Sequence, residues 1–481
     1  MKKSAKMNYF YNSLYTILNM ILPLVTVPYL SRILGVEGIG IYAFSYSVAQ
    51  YFVLIAKLGL SNYGAREISK TRNQEEKSEI FSNLFTMQLI STIIVSIFYV
   101  IYFFAFVKTN ASISIIFFAW ILFSFLDIDW FWFGEEEFKR ISLRNIIIKL
   151  LTILCVFSFI KDSSQVWLYT VIMVVGYITS YIVIWIGLKG KIKFCKPKFS
   201  IIKKHLIPCT VMLIPVIALS IYRTMDKVML GAISGMEETG IYENGEKLIY
   251  CLSSLISSLG TVMMPKISYL VEINDKEKIQ EYIAKSLKFM MIMTSAMSFG
   301  LMAISDNIVP ILFGQEFNGS INILFLCSPI LIFMGWSNVI RTQYIIPHKF
   351  DDIYIKSITF GSILNLIFNF IFIPQYGAIG AVIGTLIAEA FVPFYQYLRL
   401  KKKIEYSKYI KETCIYPIIG IIMCIALKMI GTFIETGIVA LIVQIALGFF
   451  IYIVLTYIYI KAKDKKLYEY AINTLKIKKE K

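Results

Sequence analysis

The chain has 481 residues, of which 57% are hydrophobic and 15% aromatic, and only 16% are charged, against about 25% in a soluble protein. With just 12 prolines besides, it is excluded from the disordered class and does not read as a soluble globular enzyme. Lys and Arg outnumber Asp and Glu by 48 to 31, a net charge of +17 whose placement along the chain decides its meaning.

The apolar residues fall in long blocks. A helix rises about 1.5 Å per residue and the hydrocarbon layer is about 30 Å thick, so about 20 apolar residues make one crossing. In chain order the blocks are 9–31, 39–62, 80–106, 112–133, 146–160, 166–188, 206–231, 240–263, 287–312, 321–346, 353–375, 377–398, 412–431 and 437–460. Block 146–160 is short for a span and is kept because the charge alternation fails without it. No block alternates with period two, which excludes a β-barrel. The expectation is an all-α integral membrane protein with 14 transmembrane helices. Lys2, Lys3 and Lys6 precede the first block, but it is too long for a signal-peptide core and no small-residue cleavage site follows, so it reads as a retained helix.

Lys and Arg resist translocation and collect in cytoplasmic loops. With both termini inside, the inner segments hold nearly all the loop cations, including the run Lys189–Lys204, the run Arg399–Lys411 and the tail from Lys461 to Lys481. The outer loops hold only Arg32, Lys108 and Lys161. The positive charge is therefore expected in loops that face anionic lipid. No loop is long enough to be a nucleic-acid-binding module. Seven scattered cysteines without a CxxC pair, and two histidines far apart, offer no metal site. There is no P-loop and no long loop to hold a catalytic domain or the external loop of a polysaccharide polymerase, so no enzyme activity is expected.

An internal repeat gives the organisation. Glu37-x-x-Gly40-Ile41-Tyr42 recurs as Glu237-x-x-Gly240-Ile241-Tyr242, 200 residues later. Leu34-Gly35 is echoed by Leu230-Gly231, and the prolines Pro23 and Pro28 by Pro208 and Pro215. The copies are six blocks apart, so both cross in the same direction. That predicts two six-helix lobes, 1–190 and 191–405, related by a pseudo-two-fold axis along the membrane normal, with two further helices and a basic tail in 406–481.

Several stretches carry a resemblance: Pro28-Tyr29-Leu30-Ser31-Arg32-x-Leu34-Gly35-x-Glu37-Gly38-x-Gly40-x-Tyr42-x-Phe44; Asp129-Trp130-Phe131-Trp132-Phe133-Gly134-Glu135, followed by Ile141-Ser142-x-Arg144-Asn145; and Asp226-Lys227-x-Met229-Leu230-Gly231. Later come Asn365-x-x-x-Asn369-x-x-x-Ile373-Pro374-x-x-Gly377-x-x-Gly380-Ala381 and Thr385-x-x-x-Glu389. Together they resemble Wzx-type polysaccharide flippases of the superfamily that includes MATE-like multidrug exporters. The resemblance implies the fourteen-helix fold. It also implies a substrate, an undecaprenyl-pyrophosphate-linked oligosaccharide flipped to the outer leaflet for capsular or other surface polysaccharide, with membrane lipids, a polysaccharide polymerase and glycosyltransferases as partners.

Such a headgroup cannot cross hydrocarbon unaided, since each unpaired polar group costs several kcal/mol. A polar, cationic cavity between the lobes is expected, and ionisable residues inside spans are its candidates. Arg223, Asp226 and Lys227 lie three and four apart and are expected on one helical face, either lining the cavity or forming a local ion pair with Lys227 reaching toward the surface. Arg223 is the candidate pyrophosphate contact, because a guanidinium grips phosphate oxygens in pairs, and Arg341 is a further candidate substrate-binding cation. Arg32, Lys57 and Lys356 are further candidate cations near span ends, where snorkelling or anchoring is the alternative. Asp127 and Asp129, two apart, are expected on different faces of one helix, with Trp130–Phe133 as an interfacial belt. Glu389, Asp306 and Asp127 are candidate carriers of a coupling proton or sodium ion; Glu389 and Asp306 sit in apolar sequence. Glu243 and Lys247 are expected to pair at a helix start. No cofactor is expected. Two alternatives to the flippase remain open: an ion-coupled MATE-type drug exporter, and a non-transporting membrane subunit of a polysaccharide-assembly complex.

Overall fold

The computed structural model describes residues 2–433 and 437–463, with side chains from Ile21 onward. The expected basic tail beyond residue 463 and the side chains of Lys2, Lys3 and Lys6 lie outside the described residues. Among the described residues, twelve helical stretches are long and apolar enough to cross a membrane. They are α1 (Ile21–Ser69), α2 (Gln74–Phe106), α3 (Ala111–Gly134), α4 (Phe138–Phe159), α5 (Ser163–Gly187) and α6 (Phe199–Ile233). Then follow α7 (Met236–Glu272), α8 (Lys276–Phe313), α9 (Gly319–Ile345), α10 (Asp351–Leu400), α11 (Tyr406–Gly431) and α12 (Ile438–Lys463). The short expected block 146–160 is part of the longer helix α4, and no strand forms among these residues.

Twelve stretches stand where fourteen blocks were expected because α1 and α10 each run through two blocks, over 49 and 50 residues. A straight helix of that length would measure about 75 Å, more than twice the hydrocarbon layer. Neither is straight: α1 leaves helical geometry at Gly35 (φ 67°) and α10 at Gly377 (φ 54°). Past Gly377 the chain turns so sharply that a Cβ on Gly380 would lie 2.3 Å from the carbonyl oxygen of Phe372. In a straight helix residues that far apart in sequence are separated by about 12 Å. Two causes require glycine at 377. The left-handed φ disfavours any side chain, and a Cβ there would lie 2.4 Å from Glu238 Oε2. That same oxygen accepts the Ala378 N–H at 2.6 Å, so a carboxylate meets one of the amides exposed where the second half of α10 begins.

The corner inside α3 corrects two expectations. Block 112–133 is not one helix: its first part ends at Leu122, a 3-10 turn covers Phe123–Leu126, Asp127 is extended (ψ 100°), and a new helix starts at Asp129. Asp127 and Asp129 therefore flank a break instead of facing apart on one helix. Gln88 of α2 serves the carbonyls freed by the break, donating to Ser124 O at 3.1 Å and Asp127 O at 3.0 Å, and accepts Trp130 Nε1 at 3.0 Å. Free carbonyls inside a membrane protein need such partners. The aromatic run is core and not a belt: Trp130, Phe131 and Trp132 are buried among Leu60, Ile68, Phe81 and Leu84, and only Phe133 is exposed.

The chain packs as two compact units. The first contains Met1–Glu243 and Leu366–Ala381; the second contains Asn244–Asn365 and Val382–Lys481. Packing thus draws a boundary inside α7, whereas the expected lobes follow the repeat. Within the first unit the two repeat copies touch reciprocally. A Cβ on Gly40 would lie 1.7 Å from Met236 O, and one on Gly240 would lie 2.0 Å from Val36 O. Val36 and Met236 occupy the same position in the two copies, so each copy's glycine receives the other's carbonyl, the local signature of a two-fold contact. Glycine is required on both sides because backbone meets backbone. The second unit is built around α8, which packs against α9, α11 and α12. Its polar ties include Asn307 Nδ2 to Gln444 Oε1 at 2.8 Å and Trp336 Nε1 to Tyr406 Oη at 2.7 Å.

Candidate functional site

The break in α3 assembles a largely buried four-charge cluster in the first unit, with Asp127 and Arg144 buried and Lys57 and Asp129 partly so. Lys57 of α1 pairs with Asp127 at 2.5 Å. Arg144 of α4 grips Asp129 with both terminal nitrogens, at 2.6 and 2.8 Å. Asp127 Oδ1 accepts the Asp129 N–H at 3.0 Å and so joins the two pairs. Two acids and two bases balance, as membrane depth demands. The Lys57 ammonium lies 5.0 Å from the Tyr181 ring centre, and Trp120 Nε1 donates to Tyr181 Oη at 3.0 Å. Asn145 Oδ1 accepts Arg144 Nε at 3.0 Å and Nη2 at 2.7 Å. Arg144, which stands between the expected blocks 112–133 and 146–160, is 6% exposed inside α4. The signal was present, since Arg144-Asn145 followed Asp129 in one of the quoted stretches, but spacing does not reveal that the chain folds back between them.

The expected trio on α6 is divided. Asp226 is buried, accepting Tyr242 Oη at 2.6 Å and Asn369 Nδ2 at 2.5 Å. It ties α6 to α7 and α10 and does not face an open surface. Arg223 is exposed. Lys227 is partly buried and pairs at 2.6 Å with Glu243. Three residues turn a helix by about 300°, so Arg223 and Asp226 sit about 60° apart and straddle the edge of the buried stripe. Arg32 is exposed, just before the Gly35 break.

In the second unit Arg341 opens a π-helical turn, Arg341–Ile345, of the kind often found at functional positions. Its Nη1 lies 3.3 Å from Tyr354 Oη, and its guanidinium stands 5.5 Å from the Tyr354 ring centre. Its Nε is buried and has no hydrogen-bond partner. Glu389 is buried on α10. Asp306 is not in apolar isolation: it is more than half exposed and pairs with Lys428 of α11. Lys356 is exposed and pairs with Asp352 at 3.5 Å, in keeping with a cation at a span end. Between α8, α11 and α12 lies an apolar cavity of about 500 Å³, lined by Met293, Met297, Gly300, Met423, Leu427, Phe449 and Tyr452 among others. Among the described residues no group of three His, Cys, Asp or Glu could hold a metal ion.

Comparison with known proteins places this arrangement. A candidate O-antigen transporter of Escherichia coli (strain K12) is 25% identical over 399 residues, which cover 81% of this chain and 95% of that protein. The capsular polysaccharide biosynthesis protein CapF of Staphylococcus aureus is 22% identical over 415 residues, covering 82% of this chain and 99% of that protein. The solved structure of the lipid II flippase MurJ in an inward closed conformation superposes with a TM-score of 0.76 at 19% identity, over 94% of this chain and 98% of that one, so the fold is shared. The profile of the polysaccharide biosynthesis protein family matches residues 5–271, more than half of the sequence, and the chain is therefore a member of that family.

Proposed function

We propose that this protein is a flippase that carries an undecaprenyl-pyrophosphate-linked oligosaccharide from the cytoplasmic to the outer leaflet of a bacterial cytoplasmic membrane, for capsular or other surface polysaccharide. The observation that carries the reading is Arg341: a guanidinium inside a membrane span whose Nε is buried without an acceptor. A buried guanidinium nitrogen left without an acceptor is costly unless an anion meets it, and a guanidinium suits a pyrophosphate. Arg223, exposed on α6, supplies a second cation. The apolar cavity between α8, α11 and α12 accommodates part of the polyprenyl chain while the headgroup crosses. Family membership and the flippase fold support the reading. The chain crosses fourteen times in this proposal, α1 and α10 each contributing two crossings at Gly35 and Gly377. Both termini are cytoplasmic, and the two repeat-related lobes alternate in exposing the headgroup to the two sides. Glu389 is the acid retained as a carrier of a coupling proton or sodium ion.

The test replaces Arg341 and Arg223 by Ala in the native host and measures surface polysaccharide at equal membrane levels of protein. Export is expected to fall in both variants, and Arg341→Lys to recover part of it, since charge is kept and the bidentate grip is lost. Wild-type export in both alanine variants refutes the proposal. Ion-driven drug efflux with no effect on polysaccharide would instead favour the drug-exporter alternative.

A further inference from the structure

A second cavity lies in the first unit, a crevice of about 280 Å³ between α4 and α5, lined by Asn145, Lys149, Thr152, Gly176, Tyr177 and Ser180 among others. On each helix the lining positions follow the spacing of a single face, 145, 148, 149 and 152 on α4 and 173, 176, 177 and 180 on α5. The exposed apolar stripes, Ile147, Leu151 and Leu154 on α4 and Val175 and Ile182 on α5, lie about 140–160° around each helix at 100° per residue. The crevice therefore opens away from the surfaces that face lipid, and a hydrocarbon chain is not its natural occupant.

Its lining sets a few polar groups among apolar ones, Ile148 and Met173 included. Asn145 Oδ1 accepts from Arg144 and, at 3.4 Å, from Ser180 Oγ, which fixes the amide at the crevice wall. The Tyr177 ring is held flat against Trp120, with centroids 4.7 Å apart and planes at 25°, and Trp120 stacks in turn on Tyr46 at 5.4 Å and 10°. Gly176 lets α5 approach Thr152 of α4 closely at the crevice wall: a Cβ there would lie 2.8 Å from Thr152 Oγ1. An amide, two aliphatic hydroxyls and a rigid aromatic ring are the groups that recognise a sugar ring, through its hydroxyls and its C–H face. One lysine on the rim suits a neutral or singly acidic sugar better than a pyrophosphate, which calls for several cations. The volume is slightly below the range of about 300–1,000 Å³ typical of small-molecule pockets, enough for a single ring and not for a repeat unit.

We infer that this crevice is a saccharide subsite, holding one sugar ring of the transported headgroup by Asn145, Thr152, Tyr177 and Ser180. The inference rests on the flippase reading and goes beyond it, by separating sugar recognition from anion recognition. The test uses the purified full chain in nanodiscs and two probes, undecaprenyl diphosphate and undecaprenyl-diphospho-N-acetylglucosamine, with apparent Kd values from native mass spectrometry. Gly176→Leu fills the crevice, and Thr152→Val with Ser180→Ala removes two hydroxyls at nearly constant volume; melting curves check the fold of each. Both variants are expected to bind the sugar-bearing lipid more weakly, about tenfold for Gly176→Leu, and to bind undecaprenyl diphosphate within about twofold of wild type. Wild-type affinity for the sugar-bearing lipid in either correctly folded variant overturns the subsite and leaves the flippase reading standing. Equal weakening toward both probes overturns it too, since the crevice would then read the phosphates. A wild-type chain that binds neither probe overturns the flippase reading, and the subsite with it.

Discussion

Removing Arg144 tests whether the four-charge cluster holds the first unit together. In Arg144→Met a side chain of similar length remains, but Asp127 and Asp129 are left with Lys57 as the cluster's only base. Breaking a buried ion pair by deleting one partner costs about 3–5 kcal/mol, because the other charge stays buried without compensation. The Arg144 side chain is 5% exposed and that of Asp129 22%, so water relieves part of the loss and the lower end, about 3 kcal/mol, is expected. At about 2 °C per kcal/mol this lowers the melting temperature by about 6 °C. Arg144→Lys keeps the charge but loses the second bond to Asp129 and the grip on Asn145, for a cost of about 1–2 kcal/mol. Adding Asp129→Asn to Arg144→Met removes the stranded charge and should recover about half of the loss. The measurement is thermal unfolding of purified protein in detergent, followed by tryptophan fluorescence, with size-exclusion profiles as a check on folding. A melting temperature for Arg144→Met within about 1 °C of wild type refutes the reasoning, and so does the absence of any rescue by Asp129→Asn.

The reciprocal contact of the repeat copies predicts that Gly40→Ala and Gly240→Ala each destabilise by about 1–3 kcal/mol, through overpacking against a carbonyl. Because both push the same two segments apart, the double variant should cost clearly less than the sum in the same melting assay. Gly377→Ala should cost at least about 1–2 kcal/mol from its left-handed φ of 54°, and Glu238→Ala should relieve the part due to crowding, read as non-additivity in a double-mutant cycle. Gly300→Leu tests the apolar cavity. Its Cβ would meet nothing nearer than Met423 Cε at 3.9 Å, so melting should be unchanged or raised while export of polysaccharide falls; unchanged export would remove the cavity from the proposed path.

Much of the fold was legible because hydrophobic length is a one-dimensional property. Most expected apolar blocks coincide with helix among the described residues, block 112–133 being broken, and the two long stretches are divided at glycines at block boundaries, Gly35 between two blocks and Gly377 at the start of one. The repeat was legible in the same way, and its glycines proved to be the points where its copies meet. The site was legible only in composition. Arg341, Lys57, Asp127 and Asp129 could be picked out as charges where charge is expensive, and each has a specific setting. Asp306 and Lys356 met the same criterion, yet pair with Lys428 and Asp352 at exposed positions, because sequence hydropathy does not separate a buried helix face from an exposed one.

By itself the sequence determined that this is a helical membrane protein with charged residues inside its apolar stretches, since the energy of placing apolar and charged side chains in hydrocarbon depends on residue type. Only the tertiary structure decided which charges meet. Asp127 and Asp129 lie together because the chain breaks between them, Arg144 reaches Asp129 because α4 returns beside that break, and Asp226 is withdrawn by Tyr242 and Asn369 from the face it was expected to share with Arg223. Helical spacing fixes the direction in which a side chain leaves its own helix, whereas its partner is set by neighbouring helices whose approach no local pattern encodes.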